Sequence, residues 1–349
     1  MATARARLTA LWRVTLLRHV VLGLLAVVVM LFVLSSLSPF RNAQLATMAY
    51  LAIAAGGLTV LTGLSGQLSL GHGAFLAVGA YTTAVLLKDG GPPFPLIGVM
   101  AAALLVTLAV GAVVGVAAAR LQGPYVAGAT LALAVAVPAL AGYLGGLGQE
   151  QGLHVRVPEV PGWFDDGVWL VTGHDVDATS YVAYLGWIAL VVSYVLLANL
   201  MHSRVGRAWR ALSNNDVAAE IAGIRAGRAR VLAFVVSTAA AGLAGSVMAM
   251  AVRVTSPSGF PVDLSVTLLS AIVLGGLGTL TGALLGSALL TFLPQAVTSW
   301  GTSAGLSDVR AAELAPVAYG LIMIAVILLA PAGIVGTLRR AWWRRRGLA

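Results

Sequence analysis

The chain has 349 residues, of which 59% are hydrophobic and only 9% charged, with a mean hydropathy of +0.95. An average soluble domain carries about 25% charged residues, so the polar side chains here cannot cover a soluble fold of this length. Cysteine is absent, which excludes disulfides, thiolate catalysis and cysteine-ligated metals. The single lysine, Lys88, is followed by Asp89, so no Gly-Lys-Ser/Thr phosphate loop exists.

A membrane-crossing helix needs about 20 mainly apolar residues. In chain order, a basic stretch at 1–18 precedes apolar runs at 19–38, 44–62, 73–88, 94–119 and 124–144. Arginines before an apolar run resemble a signal peptide, but no small-x-small cleavage site precedes Pro39, and 19–38 is expected to stay as the first helix. An outer segment at 145–180, acidic and rich in Gly, Trp and Asp, leads to runs at 181–200 and 230–252. Between these two lies a basic inner loop, 201–229. The apolar stretch 264–300 is interrupted by Gly275-Gly276-Leu277-Gly278-Thr279 and reads as two helices. The first, 264–277, is short enough to cross or to re-enter. A last run at 314–336 leaves a basic tail, 337–349. The expected fold is therefore an all-α polytopic bundle of about ten transmembrane helices in one domain, 1–349.

Charge placement tests that count. With the N-terminus inside, sixteen of the 21 Lys and Arg fall on inner segments and ten of the 12 acids on outer ones. The excess of inner cations follows the positive-inside rule, puts both termini in the cytoplasm, and accounts for the net charge of +9 without nucleic acid.

Glycine numbers 41, well above the ~7% norm. Small residues let membrane helices approach closely, and Gly111/Gly115 and Gly278/Gly282/Gly286 stand at the four-residue spacing that does so. No acid lies inside a run, which argues against a proton relay. With no ATP site either, uphill transport would draw its energy from a partner. The five histidines show no metal-ligand pair at helical spacing, and no metal or cofactor is expected.

Two segments carry the functional signal. In the inner loop, Asn215 or Asp216 is a suitable N-cap for a short helix over 217–222, which Gly223 would end in a left-handed C-cap. A helix that short is not stable alone, so a partner surface is expected to hold it, with the small Ala218 and Ala219 against that surface. The second is the break Gly63-Leu64-Ser65-Gly66-Gln67-Leu68-Ser69-Leu70-Gly71-His72-Gly73 between the second and third runs. Non-helical backbone at membrane depth is tolerated only against protein or water. The break therefore either lines a pathway, offering Gln67, Ser69, His72 and the amides at the next helix N-terminus, or is a tight turn with its polar groups bonded. On the first reading Gly66, Gly71 and Gly73 also belong to the pathway, and Gly71→Leu should block transport while leaving assembly intact.

The inner loop resembles the EAA-type coupling loop of ABC-importer permeases, matching Ala218, Ala219 and Gly223, with Val217 where that motif has Glu. The break, with Gly79-Ala80-Tyr81, Ser203-Arg204-Val205-Gly206-Arg207-Ala208, Leu232-Ala233-Phe234, Ser256-Pro257 and Gly275-Gly276-Leu277-Gly278-Thr279, is similar to LivM-type branched-chain amino acid permeases. This resemblance runs from about residue 44 to 335. It implies a permease subunit of an ATP-driven importer in a bacterial cytoplasmic membrane. That subunit would pair with a second related permease, with two ABC ATPases binding the ATP and an extracytoplasmic binding protein delivering leucine, isoleucine or valine. Arg207, Asp216, Ala218, Ala219, Glu220 and Gly223 would form the ATPase-coupling loop. Urea or short amides are the same-class alternative; a sodium-coupled transporter or passive channel is the alternative of another class.

Overall fold

The structure, a computed structural model, describes residues 15–88, 95–121 and 123–345. The first apolar helices are α1 Thr15–Ser35, α2 Pro39–Leu58, α3 His72–Leu87, α4 Leu96–Ala118 and α5 Pro124–Tyr143. The outer segment contributes β1 Leu153–His154 and α6 Gly162–Thr172, followed by α7 Ala178–His202. The inner loop folds into α8 Arg204–Asn214 and α9 Asp216–Ile221. There follow α10 Ala226–Val252, β2 Val254–Thr255, α11 Val262–Gly275, α12 Leu280–Ser303, α13 Asp308–Leu329 and α14 Gly333–Arg345. Among the described residues nine helical segments are long and apolar enough to cross a membrane, and α3 is a shorter apolar helix. Each of the ten expected crossings thus has its helix, and the protein is an all-α polytopic membrane protein.

Helix ends follow local chemistry. Asp177 caps α7 by accepting from the Thr179 and Ser180 amides at 2.9 and 3.4 Å. Pro39 and Pro124 stand in the first turns of α2 and α5, where a missing amide proton costs nothing. Near the C-terminus the expected run 314–336 is cut short. Pro331 cannot continue a helix and disfavours helical backbone at Ala330, so α13 stops at Leu329. The chain is helical again over Gly333–Arg345, which includes the described part of the basic tail, and this α14 packs against the turn between α11 and α12. A Cβ at Gly276 would lie 3.2 Å from the Ala332 carbonyl oxygen.

The core is built around α10, whose buried face is nearly all small: Ser237, Ala240, Ala241, Gly242, Ala244, Gly245. Backbones approach so closely there that a side chain on Gly79 would overlap the Gly242 carbonyl, and one on Gly245 the Leu76 carbonyl. Thr83 of α3 also donates to Ser246 of α10 at 2.7 Å. Gly282 and Gly286 serve the same purpose where α12 packs on α11. These glycines act as the packing reading of their spacing requires.

One of these helices covers only part of the membrane depth. Helix α3 has 16 residues, about 24 Å against a ~30 Å hydrocarbon core. It starts level with Ala54, whose carbonyl meets the His72 Nε2 at 3.0 Å, although the preceding helix runs on through a π-turn, Thr59–Leu64. Residues 65–71 climb back that distance, about 15 Å. Helix α11 has 14 residues and is led into by a 3-10 turn, Pro257–Gly259, after which the Phe260 ring lies 6.1 Å from Tyr81 of α3. In the outer segment, β1 pairs antiparallel with β2, Leu153 opposite Thr255. Phe164 of α6 lies edge-on to Tyr181 and Tyr184, with ring centroids 4.9 and 5.7 Å away.

Candidate functional site

At the end of the bundle where α7 finishes, Ser203 caps α8, its hydroxyl accepting from the Val205 amide at 3.1 Å. Helix α8 is two-faced. Val205, Trp209 and Leu212 recur at the i, i+4, i+7 spacing of a buried stripe, and Trp209 is fully buried, its indole N–H donating to the Ala229 carbonyl at 2.8 Å. Arg204, Arg207 and Arg210 stand on the exposed face.

Asn215 then caps α9, accepting from the Ala218 amide at 3.0 Å. Gly223, at φ +86°, makes the left-handed turn that ends it, with Ile224 N donating to Ala219 O at 3.0 Å. Both caps agree with the expectation from sequence. The orientation does not. Ala219 is buried, packed against Leu212 and Ala226 of the flanking helices. Ala218, Glu220 and Ala222 are exposed, while Val217 and Ile221 are 67% and 83% exposed. A six-residue helix has room for one anchor, and here that anchor is Ala219. The exposed side of the helix is the opposite one, centred on Val217 and Ile221. Asp216 forms an ion pair with Arg230 at the start of α10.

The glycine break lies directly behind this assembly. Gly66 is at φ +72°, a conformation glycine adopts without cost, and a Cβ there would stand 3.3 Å from Ser213 Cβ in α8. Gln67 Nε2 donates to Ser65 Oγ at 2.9 Å and to the Arg230 carbonyl at 3.2 Å. Arg230 thus holds the break by its carbonyl and α9 by its guanidinium.

The remaining polar groups of the break bind neighbouring helices. The Leu70 amide donates to Thr130 Oγ1 of α5 at 3.0 Å, Ser69 Oγ accepts from the Gly71 amide at 3.4 Å, and the Gly73 amide donates to Ser265 Oγ of α11 at 2.9 Å. Gln67, Ser69 and His72 are buried. The structure therefore brings all six break residues together and engages polar atoms of the break inside the chain, linking it to α2, α5, α10 and α11. Gly71 also departs from expectation: a Cβ there would overlap the Thr130 carbonyl. Gly71→Leu should therefore push α5 away and lower the yield of folded, detergent-stable protein by well over half, which fluorescence-detected size exclusion would register. Overpacking of this kind costs about 1–3 kcal/mol.

Sequence reasoning missed the Trp209 anchor, the Gln67–Arg230–Asp216 connection and the outward side chains of Val217 and Ile221. The first was within reach, because the Val205/Trp209/Leu212 spacing is a helical stripe. The others depend on how distant elements meet.

The chain is thus an all-α polytopic membrane protein with a capped short helix at one end, connected to a glycine-rich break. The family described as branched-chain amino acid transport system / permease component matches residues 40–330, and the chain belongs to it. Among curated proteins it is 34% identical over 287 residues to the high-affinity branched-chain amino acid transport system permease protein LivM of Escherichia coli K12. That match covers 75% of this chain and 66% of the relative. The LivM of Salmonella typhimurium is 34% identical over 71% of this chain and 62% of its own length, so each match spans just under two thirds of the relative. The permease protein LivH of Escherichia coli K12 is 30% identical over 176 residues, 49% of this chain and 53% of that protein. No solved structure matches.

Proposed function

We propose that this chain is the membrane-spanning subunit of an ATP-driven importer of branched-chain amino acids in a bacterial cytoplasmic membrane, with both termini cytoplasmic. The observation that carries this reading is α9, a capped, internally anchored helix that turns Val217 and Ile221 outward among exposed arginines and connects through Arg230 to the break in the membrane. A self-sufficient transporter or channel has no use for such a surface, whereas a permease driven from outside needs one. In this reading two ABC ATPase subunits seat on that surface and bind the ATP, since the chain lacks a phosphate loop. A second, related permease completes the membrane unit; similarity to both LivM and LivH supports such a pair. An extracytoplasmic binding protein delivers leucine, isoleucine or valine. No resident cofactor is needed, and the break at 63–73 serves as the hinge of the pathway.

The test is uptake together with co-purification. Cells lacking the chain should lose high-affinity uptake of labelled leucine, isoleucine and valine, and a tagged chain should bring down P-loop ATPase subunits. Retained leucine uptake with loss of urea uptake would replace the substrate class. Purified chain that moves leucine across liposomes without ATP or partners would refute the importer.

A further inference from the structure

At the end of the bundle opposite α9, the start of α2, the second half of α12 and the start of α13 enclose a cleft of about 700 Å³. That volume is within the ~300–1,000 Å³ range of small-molecule sites. Its chemistry is divided. Phe40 and Phe292 supply apolar surface, Arg41 is a cation and Asp308 an anion. The only ion pair among the described residues is Arg230–Asp216, so Arg41 and Asp308 share the cleft without neutralising each other.

Arg41 Nη1 donates to Gln44 Oε1 at 3.1 Å, which fixes the orientation of the Gln44 amide. Gln44 is 6% exposed, lines the same cleft, and its Nε2 has no acceptor. A buried donor left unpaired is costly, and this one lies beside a guanidinium with further N–H groups to give. The N–H groups of the pair form a donor site for a carboxylate. On α12, the Thr298 and Thr302 hydroxyls donate to carbonyls of their own helix at 2.9 and 3.1 Å. Their oxygens are left able to accept, on the same cleft as the Asp308 carboxylate. These groups suit an ammonium.

We propose that this cleft is a recognition subsite for a zwitterionic α-amino acid with an aliphatic side chain. Arg41 and Gln44 take its carboxylate, Asp308 with the α12 hydroxyls its ammonium, and Phe40 and Phe292 its side chain. The inference rests on the branched-chain amino acid reading above and adds to it a place on this chain where the solute is read. Urea and short amides carry neither charge and would gain nothing from Arg41 or Asp308.

The natural absence of cysteine provides the test. Ser299, exposed on the cleft wall, is replaced by cysteine, and its alkylation by a membrane-impermeant maleimide is followed in the assembled transporter. L-Leucine should slow alkylation several-fold. Isocaproate, which lacks the ammonium, and isoamylamine, which lacks the carboxylate, should not. Adding Arg41→Gln or Asp308→Asn should leave the unliganded alkylation rate unchanged, which shows that the cleft is intact. Each should raise the half-protecting leucine concentration about tenfold, the loss of one charge-assisted hydrogen bond. Leucine uptake is measured in the same cells. Normal uptake without protection, or protection unchanged by Arg41→Gln, overturns the subsite and spares the importer. Absence of leucine uptake with transport of an uncharged amide overturns both.

Discussion

Ile221→Arg should leave a stable, correctly inserted chain that has lost its ATPase partners and its transport. Ile221 is 83% exposed, so in the isolated chain the substitution should fall within the ±0.5 kcal/mol expected of surface sites. At a seated interface the same change buries an unpaired charge at a cost of about 3–5 kcal/mol. Since each 1.4 kcal/mol is about tenfold in affinity, docking should weaken by at least about 100-fold. Pull-down of ATPase subunits and leucine uptake should fail together, while membrane yield and thermal melting remain those of the parent chain. Uptake at the parent rate would refute the docking face. Ala219→Arg is the informative contrast. Its side chain would enter the contact between Leu212 and Ala226, so it should lower the stability of the inner assembly itself, and loss of transport there says nothing about a partner.

The contrast between Ile221 and Ala219 also marks the limit of what the sequence discloses. Crossing helices were legible because an apolar run of membrane length is a property of one segment, and hydropathy found all ten. The caps at Asn215 and Gly223 were legible for the same reason: a side-chain oxygen or a left-handed glycine acts within its own turn. Which face of a six-residue helix turns inward is decided elsewhere, by Leu212 before it and Ala226 after it. The two glycine motifs could be read singly, but not that Gly63 lies against Gly278, because that contact joins the end of α2 to the turn after α11. The cleft is more remote still, since Arg41, Gln44 and Asp308 meet only when α2, α12 and α13 are packed. At Pro331 the signal was present in the sequence, and the apolar run on either side outweighed it.

Once assembled, the inner face forms one mechanical unit. Gln67 holds the Arg230 carbonyl, the Arg230 guanidinium pairs with Asp216, and Gly66 lies against Ser213. A force applied at Val217 and Ile221 therefore has short, polar, well-defined contacts through which to reach residues 65–71. The Leu70 amide there donates to the Thr130 hydroxyl on α5, and the Gly73 amide just beyond donates to the Ser265 hydroxyl on α11. On the proposed function, a partner seated at that surface would act on the break through these contacts.

Trp209→Ala should disconnect that unit at its root. Trp209 is fully buried beneath α8 and its indole N–H is bonded to the Ala229 carbonyl at 2.8 Å, so one side chain holds both the packing and the orientation of the helix on α10. Truncating a buried Trp costs about 3–5 kcal/mol, far more than an 11-residue helix can recover from its own propensity. Residues 201–229 should then open at their arginines, and limited trypsin digestion from the cytoplasmic side should cut there at least about tenfold faster than in the parent. The crossing helices do not depend on this contact, so membrane yield should be retained, and leucine uptake should fall to background because α9 is no longer presented. Trp209→Phe separates the two contributions. It keeps most of the apolar contact but loses the indole hydrogen bond to the Ala229 carbonyl, a loss of about 1 kcal/mol, and should give partial uptake with intermediate protease resistance. Equal resistance to trypsin in the parent and in Trp209→Ala would mean that α8 is held by something other than its tryptophan, and that the coupling face does not depend on this anchor.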